Sequence, residues 1–114
     1  MKLLFVGERK SPTAKARGWS WEHGRLAAKQ LFDALKPLEI DPADCRFANA
    51  FGRGHMTVIK QLVTEGYTVI GMGKKAQARL NAAGVPHRQM IHPAARGSIR
   101  LKARYAEHVK TVLG

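Results

Sequence analysis

The chain has 114 residues, 45% of them apolar, and carries 20 Lys+Arg against 8 Asp+Glu, a net charge of +12 with an isoelectric point near 10.6. That length suits one hydrophobic core and leaves no bulk for another, so a single domain over residues 1–114 is expected. A lone cysteine, Cys45, excludes an internal disulfide and a metal or iron–sulfur centre built from cysteines of one chain, and no apolar run approaches the roughly 20 residues of a membrane helix.

Residues 2–7 read as a short strand with no polar face, the pattern of a sheet covered on both sides. Gly7-Glu8-Arg9-Lys10 interrupts the opening apolar run before it is long enough for a signal peptide, which makes the cytoplasm the expected location. From Trp19 the pattern turns helical: Leu26, Ala27, Leu31, Ala34, Leu35 and Leu38 recur at three- and four-residue spacing, with Ser20 or Glu22 available to start the helix and Pro37 to end it. Asp41-Pro42 supplies turn chemistry in the connector.

Residues 45–51 form the second predicted strand, with Phe47 and Phe51 on one face and Asn49 at its exit. A helix over 57–65 follows, closed by Gly66, and then a β-branched strand over 67–72. Residues 74–83 read as a helix closed by Gly84, and residues 87–91 as a fourth strand. That strand ends at His92-Pro93, where proline biases the histidine toward an extended backbone. Gly97 allows a turn and Ser98 is a good N-cap for a last helix over 98–113, a place that suits an anion because free N–H groups, the helix dipole, Arg96 and Arg100 share one sign.

Strands alternating with helices predict an α/β fold: a three-layer α/β/α domain around a four-stranded parallel sheet. The loops after the four strands then share one edge, and two acid-free basic stretches reach it. Residues 66–106 contain no Asp or Glu but hold Lys74, Lys75, Arg79, Arg88, Arg96, Arg100, Lys102 and Arg104; residues 9–21 hold Arg9, Lys10, Lys15 and Arg17. Such clustering points to nucleic acid as the partner, rather than a membrane, with a solubilising surface as the alternative.

Several of these residues fall in a familiar succession. Gly7-Glu8 after strand one, Gly24-Arg25 in the first helix, Asn49 leaving strand two, Val69-Ile70-Gly71-Met72-Gly73 with Ala76 beyond, and His92-Pro93 with Arg100 resemble the uracil-DNA glycosylase superfamily. The resemblance is nearest to the thermophile-type branch, whose iron–sulfur cysteines this chain lacks, so no cofactor is expected. Arg9, Lys10 and Ser11 intervene before Pro12 where that branch has a tighter turn, and Ala94 follows His92-Pro93 where many members have serine.

The resemblance implies a uracil-DNA glycosylase-like fold and a monomer that binds DNA in preference to RNA, flips out a deaminated or damaged base such as uracil, and removes it hydrolytically. Glu8 would orient the attacking water and His92 would hydrogen-bond the uracil carbonyl. Asn49 would read the base edge, and Trp21, or failing it Trp19, would stack on the base. Arg9, Lys10, Lys74, Lys75, Arg96, Ser98 and Arg100 would hold the DNA backbone.

Each residue also has a plain structural role open to it. Glu8 could pair with Arg9 or Lys10, His92 and Asn49 could satisfy backbone groups, and the tryptophans could staple a helix entry. His23, His55, His87 and His108 lack metal-site spacing, so no metal is expected. Gly71-Met72-Gly73 is half of a dinucleotide fingerprint without its later acidic residue. Two other function classes remain: a non-catalytic nucleic acid-binding module of the same fold, and a small-nucleotide or phosphate binder using the Ser98 helix terminus.

Overall fold

Five consecutive buried residues, Leu3–Gly7, form β1, and their burial follows from having neighbours on every side. In the computed structural model, which describes residues 2–8, 27–51, 54–93 and 102–113, β1 is flanked by two parallel partners. Among the described residues the other strands and α-helices are α1 (Ala27–Leu35), β2 (Arg46–Asn49), α2 (His55–Thr64), β3 (Thr68–Met72), α3 (Lys74–Ala82), β4 (Arg88–Met90) and α4 (Lys102–Leu113). The sheet order is β2-β1-β3-β4 and every pairing is parallel.

Strand alternation sorts the side chains into two cores. Leu3 and Phe5 face Leu31, Leu35, Tyr105 and Val109, the inner sides of α1 and α4. Leu4 and Val6 face Ile59, Leu62, Ala76 and Leu80 on α2 and α3. The result is a three-layer α/β/α sandwich, as the sequence pattern predicts. The central strands β1 and β3 are buried almost throughout, whereas the edge strands β2 and β4 expose Arg46, Arg88 and Gln89.

Connection handedness explains which helix covers which face. The chain steps from β1 to β2 in one direction, then from β2 past β1 to β3 and on to β4 in the other. Right-handed crossovers that reverse direction must place their helices on opposite faces, so α1 lies on one side and α2 and α3 on the other. The reversal leaves a crevice between β1 and β3 at the carboxyl ends of the strands, where ligands bind in open α/β sheets.

Local signals read from the sequence recur in the structure with small shifts. After Leu35 the chain tightens into a 3-10 turn over Lys36–Leu38, with Pro37 at its start. Asp41 caps the next turn by accepting the Ala43 N–H at 2.9 Å. Gly66 and Gly84, the expected helix terminators, have φ of 94° and 71°.

One expectation fails. Phe47 and Phe51 do not share a face: Phe47 stacks on Phe5 at 5.7 Å between ring centroids, while Phe51 packs with the α2–α3 layer. The ladder ends at Asn49, and the chain bends so that the Ala50 and Phe51 N–H groups reach the carbonyls of Gly7 and Glu8 at 2.7 and 3.0 Å. Two-residue alternation applies only while the strand lasts.

Phe5 is fully buried and joins both neighbouring strands to the α1–α4 layer. Phe5→Ala should therefore cost about 3–5 kcal/mol, a large share of the stability of a domain this size, and urea denaturation followed by circular dichroism measures it.

Candidate active site

Because the strands are parallel, their carboxyl ends share a rim, and Glu8 and Lys75 meet there across the β1–β3 crevice, with His92 against the neighbouring Gly73. Glu8 follows β1 directly. Lys74 and Lys75 open α3, whose first turn holds no acidic residue and whose N-cap, Gly73, offers no side-chain oxygen. Two cations at the positive end of a helix are electrostatically unfavourable, and an anion opposite them relieves this. Glu8 supplies it: its Oε1 lies 3.6 Å from Lys75 Nζ. The pair is solvent-accessible, so its energy is small, about 1 kcal/mol or less, and its consequence is mainly positional.

His92 reaches the same place from β4, the far edge strand, by leaning back over the end of β3. Gly73 makes that approach possible. Its φ and ψ of 89° and 159° lie in a region essentially reserved for glycine, and a β-carbon on it would stand 3.3 Å from the His92 Cβ. His92 is half-buried, and burial lowers its pKa below the ordinary histidine value while the negative charge of Glu8 partly opposes that shift. The imidazole is therefore neutral near pH 7, with one N–H to donate and one nitrogen to accept.

The backbone leading to His92 is held from two helices. Gln77 Nε2 of α3 donates to the carbonyls of Gly71 and Met90 at 3.0 and 3.1 Å, and the Gly73 N–H donates to the same Met90 carbonyl at 2.9 Å. From α4, His108 Nε2 accepts the Ile91 N–H at 2.9 Å and the Tyr105 hydroxyl donates to the Ile91 carbonyl at 2.8 Å. Beside them opens a cavity of about 530 Å³, within the range of small-ligand pockets, with Gly73, Lys74, Gln77, Gln89, His92 and His108 in its walls. Among the described residues no carboxylate lines it, and Glu8 lies outside it.

Asn49 closes β2 opposite Gly7, one strand outward from Glu8 and on the side away from His92. It is half-buried, and its backbone carbonyl accepts the His55 Nδ1–H at 2.9 Å. Lys74 and Lys75 are exposed on the rim. Arg9, Lys10, Trp19, Trp21, Arg96, Ser98 and Arg100 lie outside the described residues. Among the described residues no three His, Cys, Asp or Glu side chains cluster as metal ligands would, and no helix is long and apolar enough to cross a membrane.

From the sequence His108 is weighed only as a metal ligand, and neither Gln77 nor Tyr105 is given a place in the site. The spacing Tyr105-x-x-His108 does place a hydroxyl and an imidazole on one helical face, a signal without meaning until the strand beneath that face is known.

In chemical terms the rim carries a carboxylate able to orient water, with a lysine beside it, and a neutral imidazole able to donate to an oxygen gaining negative charge. Neither a family model nor a curated protein matches the chain.

Gly73→Ala tests the approach of His92 to β3. It should cost about 1–3 kcal/mol of stability through backbone strain and shift the His92 ring resonances in a histidine-labelled NMR spectrum. Unchanged His92 resonances in a folded variant would show that no close approach exists.

Proposed function

We propose that this protein is a DNA glycosylase-like hydrolase that binds DNA, draws a deaminated or damaged base such as uracil out of the stack, and cleaves its bond to the sugar. The observation that carries the proposal is the placement of Glu8 and His92 at the two sides of the α3 N-terminus: Lys75 lies 3.6 Å from the Glu8 carboxylate, and Gly73 lies against His92. Base removal needs two groups on opposite sides of one bond, one activating water and one stabilising the departing base. A carboxylate and a neutral imidazole on one rim of the sheet suit that need.

In this reading Glu8 orients a water molecule toward the sugar C1′. The C1′–N bond breaks, its electron pair leaves with the base, and the neutral His92 N–H donates to the carbonyl oxygen on which that charge gathers. The water oxygen bonds to C1′ and its proton is released, completing hydrolysis. Asn49 reads the edge of the extruded base and Trp21 stacks on it. Extrusion costs a few kcal/mol, which contacts to the backbone from Arg9, Lys10, Lys74, Lys75, Arg96, Ser98 and Arg100 offset. The expected setting is a cytoplasmic monomer acting on DNA, without cofactor or metal.

A second reading, a non-catalytic nucleic acid-binding module of the same fold, has its own observation. Lys75 engages the Glu8 carboxylate, and the cavity beside His92 does not extend to it. That reading predicts binding that weakens steeply with salt and no base release.

Incubation with uracil- and hypoxanthine-containing single- and double-stranded DNA, followed by cleavage of abasic sites on a gel, separates the two. The proposal predicts abasic product, with Glu8→Gln and His92→Ala each lowering the rate about a hundredfold or more. Salt-sensitive binding with no product from folded protein supports the module instead.

A further inference from the structure

We propose that Tyr105 and His108 of α4 are positioning residues for His92, holding the two peptide planes that precede it so that the imidazole is fixed over the end of β3. As a statement about catalysis this rests on the role given to His92 above; as a statement about geometry it stands by itself.

Beyond β4 the backbone runs out of ladder partners. β4 ends at Met90, on the edge of the sheet, so the groups of Ile91 have no ladder to join. Both are taken by α4, the N–H by His108 Nε2 at 2.9 Å and the carbonyl by the Tyr105 hydroxyl at 2.8 Å. Peptide groups are planar, so holding one end orients the whole unit. The Met90–Ile91 plane is held at its N–H by His108 and at its carbonyl by Gln77 and Gly73. The Ile91–His92 plane is held at its carbonyl by Tyr105, and its nitrogen bears the Cα of His92. With both planes held, the dihedral angles of Ile91 are set and His92 leaves the strand in one direction.

The helix supplying these groups is itself anchored. Tyr105, Val109 and Leu113 are buried in the α1–α4 core, and the Arg88 guanidinium of β4 donates to the carbonyls of Val112 and Leu113 at 3.2 and 3.4 Å. The Tyr105 and His108 rings lie 6.1 Å apart on one face of that helix. A less rigid support would leave the imidazole of His92 a larger range of positions, and misplacement by about 1 Å is enough to cost roughly a hundredfold in rate.

The two pins differ in their response to acid. Tyr105 stays a neutral donor, since burial raises its pKa well above the ordinary tyrosine value. His108 can accept the Ile91 N–H only as the neutral tautomer protonated on Nδ1, and a proton on Nε2 would set two donors against each other. Burial lowers the His108 pKa, which favours the accepting form. Among the described residues, the charged and titratable groups on its own helix and on the elements packed against that helix are Tyr105, Arg104, Glu107 and Lys110, Arg88 of β4, and on α1 the Lys29–Asp33 pair at 2.9 Å, with Lys74 and His92 on the shared cavity wall. Lowering the pH through the His108 titration should therefore release one pin while leaving the other.

The test is a histidine- and amide-resolved NMR titration of the full chain, with His108→Gln, which keeps an acceptor and does not titrate, and His108→Leu, which keeps neither. In the wild type, His108 should carry its proton on Nδ1 near neutral pH, and the Ile91 amide and His92 ring signals should move together as His108 protonates. His108→Gln should remove that step while keeping the Ile91 amide near its original position, and His108→Leu should shift both signals at every pH. Under the base-release assay, His108→Leu should lower kcat about tenfold to a hundredfold with little change in KM, and His108→Gln should restore most of it. A His108 proton on Nε2, or Ile91 and His92 signals indifferent to both His108 protonation and His108→Leu, overturns the proposal. If the NMR coupling holds but the wild type releases no base, the positioning stands and the glycosylase reading alone falls.

Discussion

A sheet whose strands all run in one direction brings every carboxyl end to the same rim, and the rest of this molecule depends on that constraint. Glu8, Asn49, Gly73 and His92 are separated along the chain, yet each lies at or just beyond the end of a strand. The order β2-β1-β3-β4 then adds a reversal between β1 and β3, which opens the crevice spanned by Glu8 and Lys75. Packing sets this arrangement before any chemistry enters: the alternating side chains of β1 require helices on both faces, and crossover handedness decides which ones.

Electrostatics works within that frame at modest strength. The open end of α3 carries two lysines, which makes the rim attractive to a carboxylate, whether that of Glu8 or an incoming anion. His92 is subject to two opposed influences, burial favouring its neutral form and Glu8 favouring its charged form, with burial the larger. The neutral form of His92 is thus a consequence of where β3 and β4 end, since their ends bury it.

Much of this architecture was legible from the residues. Leu3, Leu4, Phe5 and Val6 left no polar face and so announced a strand covered on both sides; Gly66 and Gly84 marked helix ends; His92-Pro93 marked the exit from the fourth strand. The placement of Glu8 and His92 on a common rim followed from the alternation of strands and helices alone. What the residues did not disclose was tertiary. Phe51 changed layers because the ladder stopped two residues earlier, and no local pattern reports where a partner strand runs out. Lys75 read as one cation among many until the crossover set it opposite Glu8. Tyr105 and His108 fit a helical pattern, and their hydrogen bonds to Ile91 depend on how α4 docks against an edge strand. The aromatic expected to stack on a base, Trp21, lies outside the described residues, as do Arg96, Ser98 and Arg100.

The proposed chemistry requires Glu8 and His92 to lie close enough on the rim for the charge of one to act on the other. Titration of the His92 ring by NMR, in the wild type and in Glu8→Gln, measures that influence directly. Removing the carboxylate's charge should move the His92 midpoint to lower pH, because the imidazolium loses its neighbouring anion while its burial remains. A midpoint that stays where it was, in a variant that remains folded, would contradict the convergence from which the proposed chemistry follows.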